Sequence, residues 1–86
     1  MVETSTVRRL CVLAEQDPGV LLRVLERFCN LNIVPSRVSA MRGPDDEIFI
    51  EIEVTDIPSA TCAIIAAKIV QLPSVLNALL DNARMA

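Results

Sequence analysis

Residues 47 to 55 alternate without a break. Ile48, Ile50, Ile52 and Val54 hold one parity; Glu47, Phe49, Glu51, Glu53 and Thr55 hold the other. Successive strand residues point to opposite sides, so this pattern describes a β-strand with one packed face and one face turned to water or a partner. A lone strand cannot bury four branched aliphatic side chains, so the rest of the chain must supply neighbouring strands and a covering layer. Only 86 residues are available for that. They make one domain over 1–86, with its core over about 7–80.

The flanking segments read as the missing parts. Thr6–Ala14 is a strand whose run of Val7, Leu10, Cys11, Val12 and Leu13 suits a central position. After a turn at Glu15–Asp17, Pro18 fits the first position of a helix, where its missing N–H costs nothing, and Asp17 is a good N-cap. Apolar positions 20, 21, 24, 25 and 28 then recur at helical spacing, with Arg23, Glu26 and Arg27 on the other face. Asn30, which tolerates the left-handed conformation, can end this helix. Ile33–Met41 is a second strand that Pro35 confines to an edge or an irregular start. The turn Gly43-Pro44-Asp45-Asp46 joins it to the alternating strand as an antiparallel hairpin.

A second helix starts over Asp56–Ser59 and stops at Pro73. Ala60, Ala63, Ile64, Ala67 and Ile69/Val70 form its expected core stripe. A second stripe through Cys62, Ala66 and Ile69 meets either the core or another chain. Ser74–Asp81 reads as a fourth strand, with helix as the competing reading, and the tail Asn82–Ala86 is expected to fray. The order β-α-β-β-α-β is the split βαβ, ferredoxin-like arrangement. It implies an α+β fold: a four-stranded antiparallel sheet with two helices on one face, above Ile48, Ile50, Ile52 and Val54. Phe49 then lies on the open face between Glu47 and Glu51, and that face or an edge strand is available for pairing.

Composition narrows the chemistry. The chain has no His, Trp or Tyr and two Phe, with 8 Lys and Arg against 11 Asp and Glu. Without His there is no Ser/His or Cys/His pair and no imidazole metal ligand. A net charge of −3 with 2% aromatics argues against nucleic acid as a partner. Asp45 with Asp46 is turn chemistry, and Glu51 with Glu53 is a solvated strand face, so no catalytic residue is expected and the chain is read as a non-enzyme. Cys11, Cys29 and Cys62 are too far apart for a zinc or redox motif and are read as reduced core filler; no metal and no cofactor is expected. The start, Met1 to Thr6, does not read as a signal peptide. Lys68, Gln71, Pro73 and Asn77 interrupt the most apolar stretch, so no membrane span and a cytoplasmic location are expected. With 52% hydrophobic residues and a mean hydropathy of +0.47, a domain this small should retain apolar surface, which a homo-oligomer or partner subunit would bury.

One place suits a ligand. The N–H groups of Gly19, Val20 and Leu21 open the first helix, where unpaired amides and the helix dipole can hold a carboxylate or phosphate. The alternative is that the Asp17 carboxylate caps the helix and closes the site. The run Gln16-Asp17-Pro18-Gly19-Val20-Leu21, followed after the helix by Asn32-Ile33, resembles the ACT domain family over about Val7 to Leu80. That family is a ferredoxin-like regulatory module binding small effectors, most often amino acids, usually between domains. The resemblance implies that Gly19, Val20 and Leu21 offer amides to an effector carboxylate, and that Asn32 and Ile33 contribute from the next strand. Gln16 and Asp17 complete the implied binding set, Gln16 standing where many members carry Asp or Asn against the effector amine.

Within the family the chain most resembles the short form of the small regulatory subunit of acetolactate synthase. This implies a dimer, a thiamine-dependent catalytic subunit as partner, and a place in branched-chain amino acid biosynthesis. Two other readings remain open. One is a pure assembly module whose effector site is unused. The other is an acylphosphatase-like enzyme, which the acidic, Arg-free turn Glu15-Gln16-Asp17 disfavours because it repels phosphate.

Overall fold

The computed structural model describes residues 6–81. Six elements follow in the order β1 (Val7–Glu15), α1 (Val20–Cys29), β2 (Arg37–Arg42), β3 (Glu47–Thr55), α2 (Ser59–Val70) and β4 (Val75–Asp81). The strands form one sheet in the order β2-β3-β1-β4, and every neighbouring pair is antiparallel. This is the βαββαβ arrangement expected from the alternation. The tail Asn82–Ala86 and the first five residues lie outside the described residues.

The core sits between the sheet and both helices. Leu10 pairs with Ile52 and Val12 with Ile50 across β1 and β3, and all four are buried together with Val20, Val24 and Phe28 of α1. From α2 come Cys62, Ile65 and Ile69, none more than 4% exposed. Ile48, at the start of β3, is only partly buried against this cluster. The opposite parity of β3 faces outward, and Phe49 is 44% exposed on the open face. Gly43 in the hairpin turn permits the ring to settle there, since a Cβ on Gly43 would sit 2.7 Å from the Phe49 ring.

Several boundaries depart from the sequence reading, each for a local reason. Helix α1 begins at Val20 with Gly19 as its N-cap, not at Pro18 after an Asp17 cap. Asp17 turns the chain instead: its carboxylate accepts the Gly19 N–H and its carbonyl accepts the Val20 N–H. Asn30 does end the helix, but in right-handed geometry (φ −63°); the left-handed residue is Asn32, at φ 59°. That reversal and Pro35 keep residues 33–36 out of the ladder, so β2 starts at Arg37 rather than Ile33. Ser36 marks the entry, its N–H and Oγ both donating to the Glu53 carbonyl at 2.8 and 3.1 Å.

In α2 the buried side is Cys62, Ile65 and Ile69, while Ala60, Ala63, Ile64, Ala67 and Val70 are exposed. The second stripe, not the first, meets the core. Helix α2 is apolar nearly all round, so periodicity alone could not choose its inner face. Of the cysteines, only Cys62 is core filler; Cys11 lies half-buried on the open sheet face and Cys29 is exposed. The segment expected over Ser74–Asp81 is a strand, β4, which begins at Val75 because Ser74 still belongs to the turn. Leu13 pairs with Asn77 and Ala14 with Val75, so Leu76 is bulged out of register and 56% exposed.

Candidate functional site

The β1–α1 connection, the hairpin turn and the start of β4 converge at one end of the sheet. Asp17 is the hub of that end. Its Oδ1 accepts the Gly19 N–H at 3.0 Å, and its Oδ2 accepts Arg23 Nη1–H at 2.8 Å and Ser74 Oγ–H at 2.9 Å. One carboxylate therefore ties the β1–α1 connection to the first turn of α1 and, 57 residues on, to Ser74 just before β4. Ser74 adopts φ 72°, a left-handed conformation that costs a non-glycine residue, and its carbonyl also accepts the Glu15 N–H at 2.7 Å. Gln16 braces the connection from the other side, donating its side-chain amide to the Glu47 carbonyl at 3.2 Å and its N–H to the Asp46 carbonyl at 3.1 Å.

The Arg23 hydrogen bond, then the Gly19 N–H and the Ser74 hydroxyl, hold the Asp17 carboxyl down at about 2 against an ordinary 3.8. A depressed native value means that Asp17 stabilises the fold above pH about 4, and that this contribution is lost as pH falls towards 2. Asp17→Asn should accordingly have a lower urea midpoint than the parent at pH 7. The gap should narrow through pH 4 and close near pH 2. A gap independent of pH would mean that the charge on Asp17 contributes nothing.

Two of the three amides expected to meet a ligand are thus engaged by Asp17: Gly19 through its carboxylate and Val20 through its carbonyl at 3.0 Å. No partner among the described residues holds the Leu21 N–H. Beside that amide lies a shallow concavity of about 440 Å³, lined by Gln16, Asp17, Pro18, Leu21, Arg42 and Ile48. Pro18, Leu21 and Ile48 give it an apolar wall; Arg42 brings a guanidinium, and Asp17 and Gln16 bring oxygens.

The sequence-derived set falls into two groups. Gln16, Asp17, Gly19, Val20 and Leu21 are gathered at the start of α1. Asn32 and Ile33 follow the other end of that 10-residue helix, about 15 Å away along its axis. Within one chain they do not share the concavity. Arg23, Arg42 and Ser74 were not singled out from sequence. Arg23 and Arg42 read as ordinary exposed cations, and only the chain reversal after Pro73 places Ser74 on Asp17. No group of acidic, Cys or His residues among the described residues is arranged to hold a metal ion. No helix among them is long and apolar enough to cross a membrane.

A family model described as an ACT-like domain matches residues 2–86. Among solved structures, the chain is similar to the C-terminal domain of the MgtC protein from Mycobacterium tuberculosis, with TM-score 0.76 and 14% identity. That likeness covers 100% of this chain and 96% of that one. It is similar to the ACT domain from GTP pyrophosphokinase of Chlorobium tepidum at TM-score 0.75 and 8% identity, covering 91% and 100%. It also resembles part of a homoserine dehydrogenase from Thiobacillus denitrificans, with TM-score 0.70 and 19% identity, covering 95% of this chain and 18% of that one. At these identities the likeness concerns the fold. No curated protein sequence matches the chain.

Proposed function

Since the chain belongs to the ACT-like domain family, we propose that it is a non-catalytic regulatory module that binds an amino acid at the start of α1 and acts on a catalytic partner. In the finer form of this reading it works like a small regulatory subunit of acetolactate synthase. It then activates a thiamine-dependent enzyme of branched-chain amino acid biosynthesis in the cytoplasm.

The observation that carries the proposal is the amphipathic concavity beside Leu21. A free amino acid has a carboxylate, an ammonium and a side chain. Arg42 and the Leu21 N–H suit the first, the Asp17 and Gln16 oxygens suit the second, and Pro18, Leu21 and Ile48 suit an aliphatic third. Asn32 and Ile33 would join the same ligand only from a second copy, whose α1–β2 connection is set against this concavity. Calorimetric titration with valine, leucine and isoleucine should give saturable heat at millimolar ligand or below. Silence from all three, with the protein folded, would remove the effector from the reading.

A second reading has an observation of its own. Because the Asp17 carboxylate already occupies the Gly19 amide, the helix start can be complete without a ligand. The chain would then act on its partner by assembly alone. Co-purification with a thiamine-dependent catalytic subunit, together with a silent titration, would favour that form.

A further inference from the structure

We propose that the open face of the sheet binds a second copy of this chain, about a two-fold axis running parallel to the strands between β1 and β3. This assignment does not depend on the effector reading above.

The registers arrange the open face in three rows, each read across β2, β3, β1 and β4. The first is Arg37, Glu53, Arg9, Asp81; the second is Ser39, Glu51, Cys11, Leu79; the third is Met41, Phe49, Leu13, Asn77. The first row alternates in charge, + − + −. A two-fold axis along the strands keeps each row opposite itself and reverses its order. Reversed, that row becomes − + − +, so each charge meets its opposite: Arg37 faces Asp81 of the second copy, and Glu53 faces Arg9. In the third row the same operation sets Phe49 against Leu13.

Contacts within one chain leave this row unfinished. Arg9 is shared between Glu53 at 3.4 Å and Asp81 at 3.8 Å, and the Asp81 side chain keeps 58% exposure. Arg37, at the far edge on β2, makes no ion pair with another described residue. Arg37 and Asp81 stand three strand spacings apart, about 14 Å, too far to meet within one chain. The axis supplies both at once, twice per dimer.

The other rows provide the apolar part. Met41 is 67% exposed on β2, and Phe49 at 44% and Leu79 at 64% border a concavity of about 320 Å³ that Cys11 and Leu13 also line. Burial, then the nearby Glu51, push the Cys11 thiol up, which keeps the middle of the face uncharged on β1. Glu51 itself opposes association, because pairing would place its carboxylate over Cys11 of the second copy. The face measures roughly 19 by 23 Å on strand spacing and rise, small for a stable interface. The monomer–dimer equilibrium should therefore fall within a measurable concentration range.

Sedimentation equilibrium from micromolar to millimolar chain, without added amino acid, tests the assignment. The parent chain should dimerise. Arg37→Glu and Asp81→Arg should each raise the dissociation constant at least tenfold, since each sets like charges against each other. Combining them restores opposite charges across the axis, and the double variant should return to within a few-fold of the parent. Phe49→Ala should weaken the dimer as well, and circular dichroism should remain unchanged throughout. A parent chain that stays monomeric at millimolar concentration would overturn the assignment. So would single variants that dimerise as well as the parent, or a double variant no tighter than the singles.

Discussion

Phe28→Ala should bring the chain to the edge of unfolding, whereas Phe49→Ala should leave stability almost unchanged. The two residues are the only aromatics in the sequence. Phe28, in the last turn of α1, is 2% exposed and seated among the buried aliphatics of the sheet and α2. Truncating a buried Phe costs about 3–5 kcal/mol, from lost transfer energy and from the cavity left behind. A domain of this length has a total of roughly 4–13 kcal/mol, so one substitution removes a large share. Phe49 is 44% exposed on the open sheet face. Its truncation forfeits only the half already buried, about 1 kcal/mol. Urea denaturation followed by circular dichroism separates the two: a sharply lowered midpoint for Phe28→Ala beside a near-parental one for Phe49→Ala. Equal midpoints would mean that the core does not lie where the two sheet faces place it.

The contrast between the two Phe residues shows which features could be read in advance. Phe49 was legible because a strict period of two fixes the face of every residue in β3, and the hairpin turn fixes the partner strand. The whole βαββαβ order followed from such local signals. Helix α2 was legible as a helix but not in its orientation, because its apolar residues surround the axis. Only its packing against β4, α1 and β1 selected Cys62, Ile65 and Ile69. The candidate site was legible in the same partial way. Asp17-Pro18-Gly19 announces a helix start, but whether Asp17 closes it depends on Arg23, one and a half turns later, and on Ser74, 57 residues away. No local pattern encodes such a contact.

Arg42→Glu should weaken amino-acid binding about 10- to 100-fold while leaving the fold intact. The expectation rests on the effector reading, in which Arg42 is the side-chain cation of the concavity and the partner of the effector carboxylate. A hydrogen bond to a charged group contributes about 1.5–3 kcal/mol, and placing a second carboxylate there adds repulsion. Arg42 is exposed and makes no ion pair with another described residue, so its replacement removes no internal support. Gly19 is a poorer position to probe. A Cβ there would lie 3.0 Å from the Arg23 guanidinium, so an aspartate at 19 would pair with Arg23 and disturb the Asp17 hub as well. Titrating the parent and Arg42→Glu with the same amino acid, each checked for an unchanged urea midpoint, isolates the carboxylate contact. Undiminished affinity in the variant would move the effector away from this concavity. A loss confined to Arg42→Glu, with Arg37→Glu still binding, would place the carboxylate at the hairpin end of the sheet rather than on its open face.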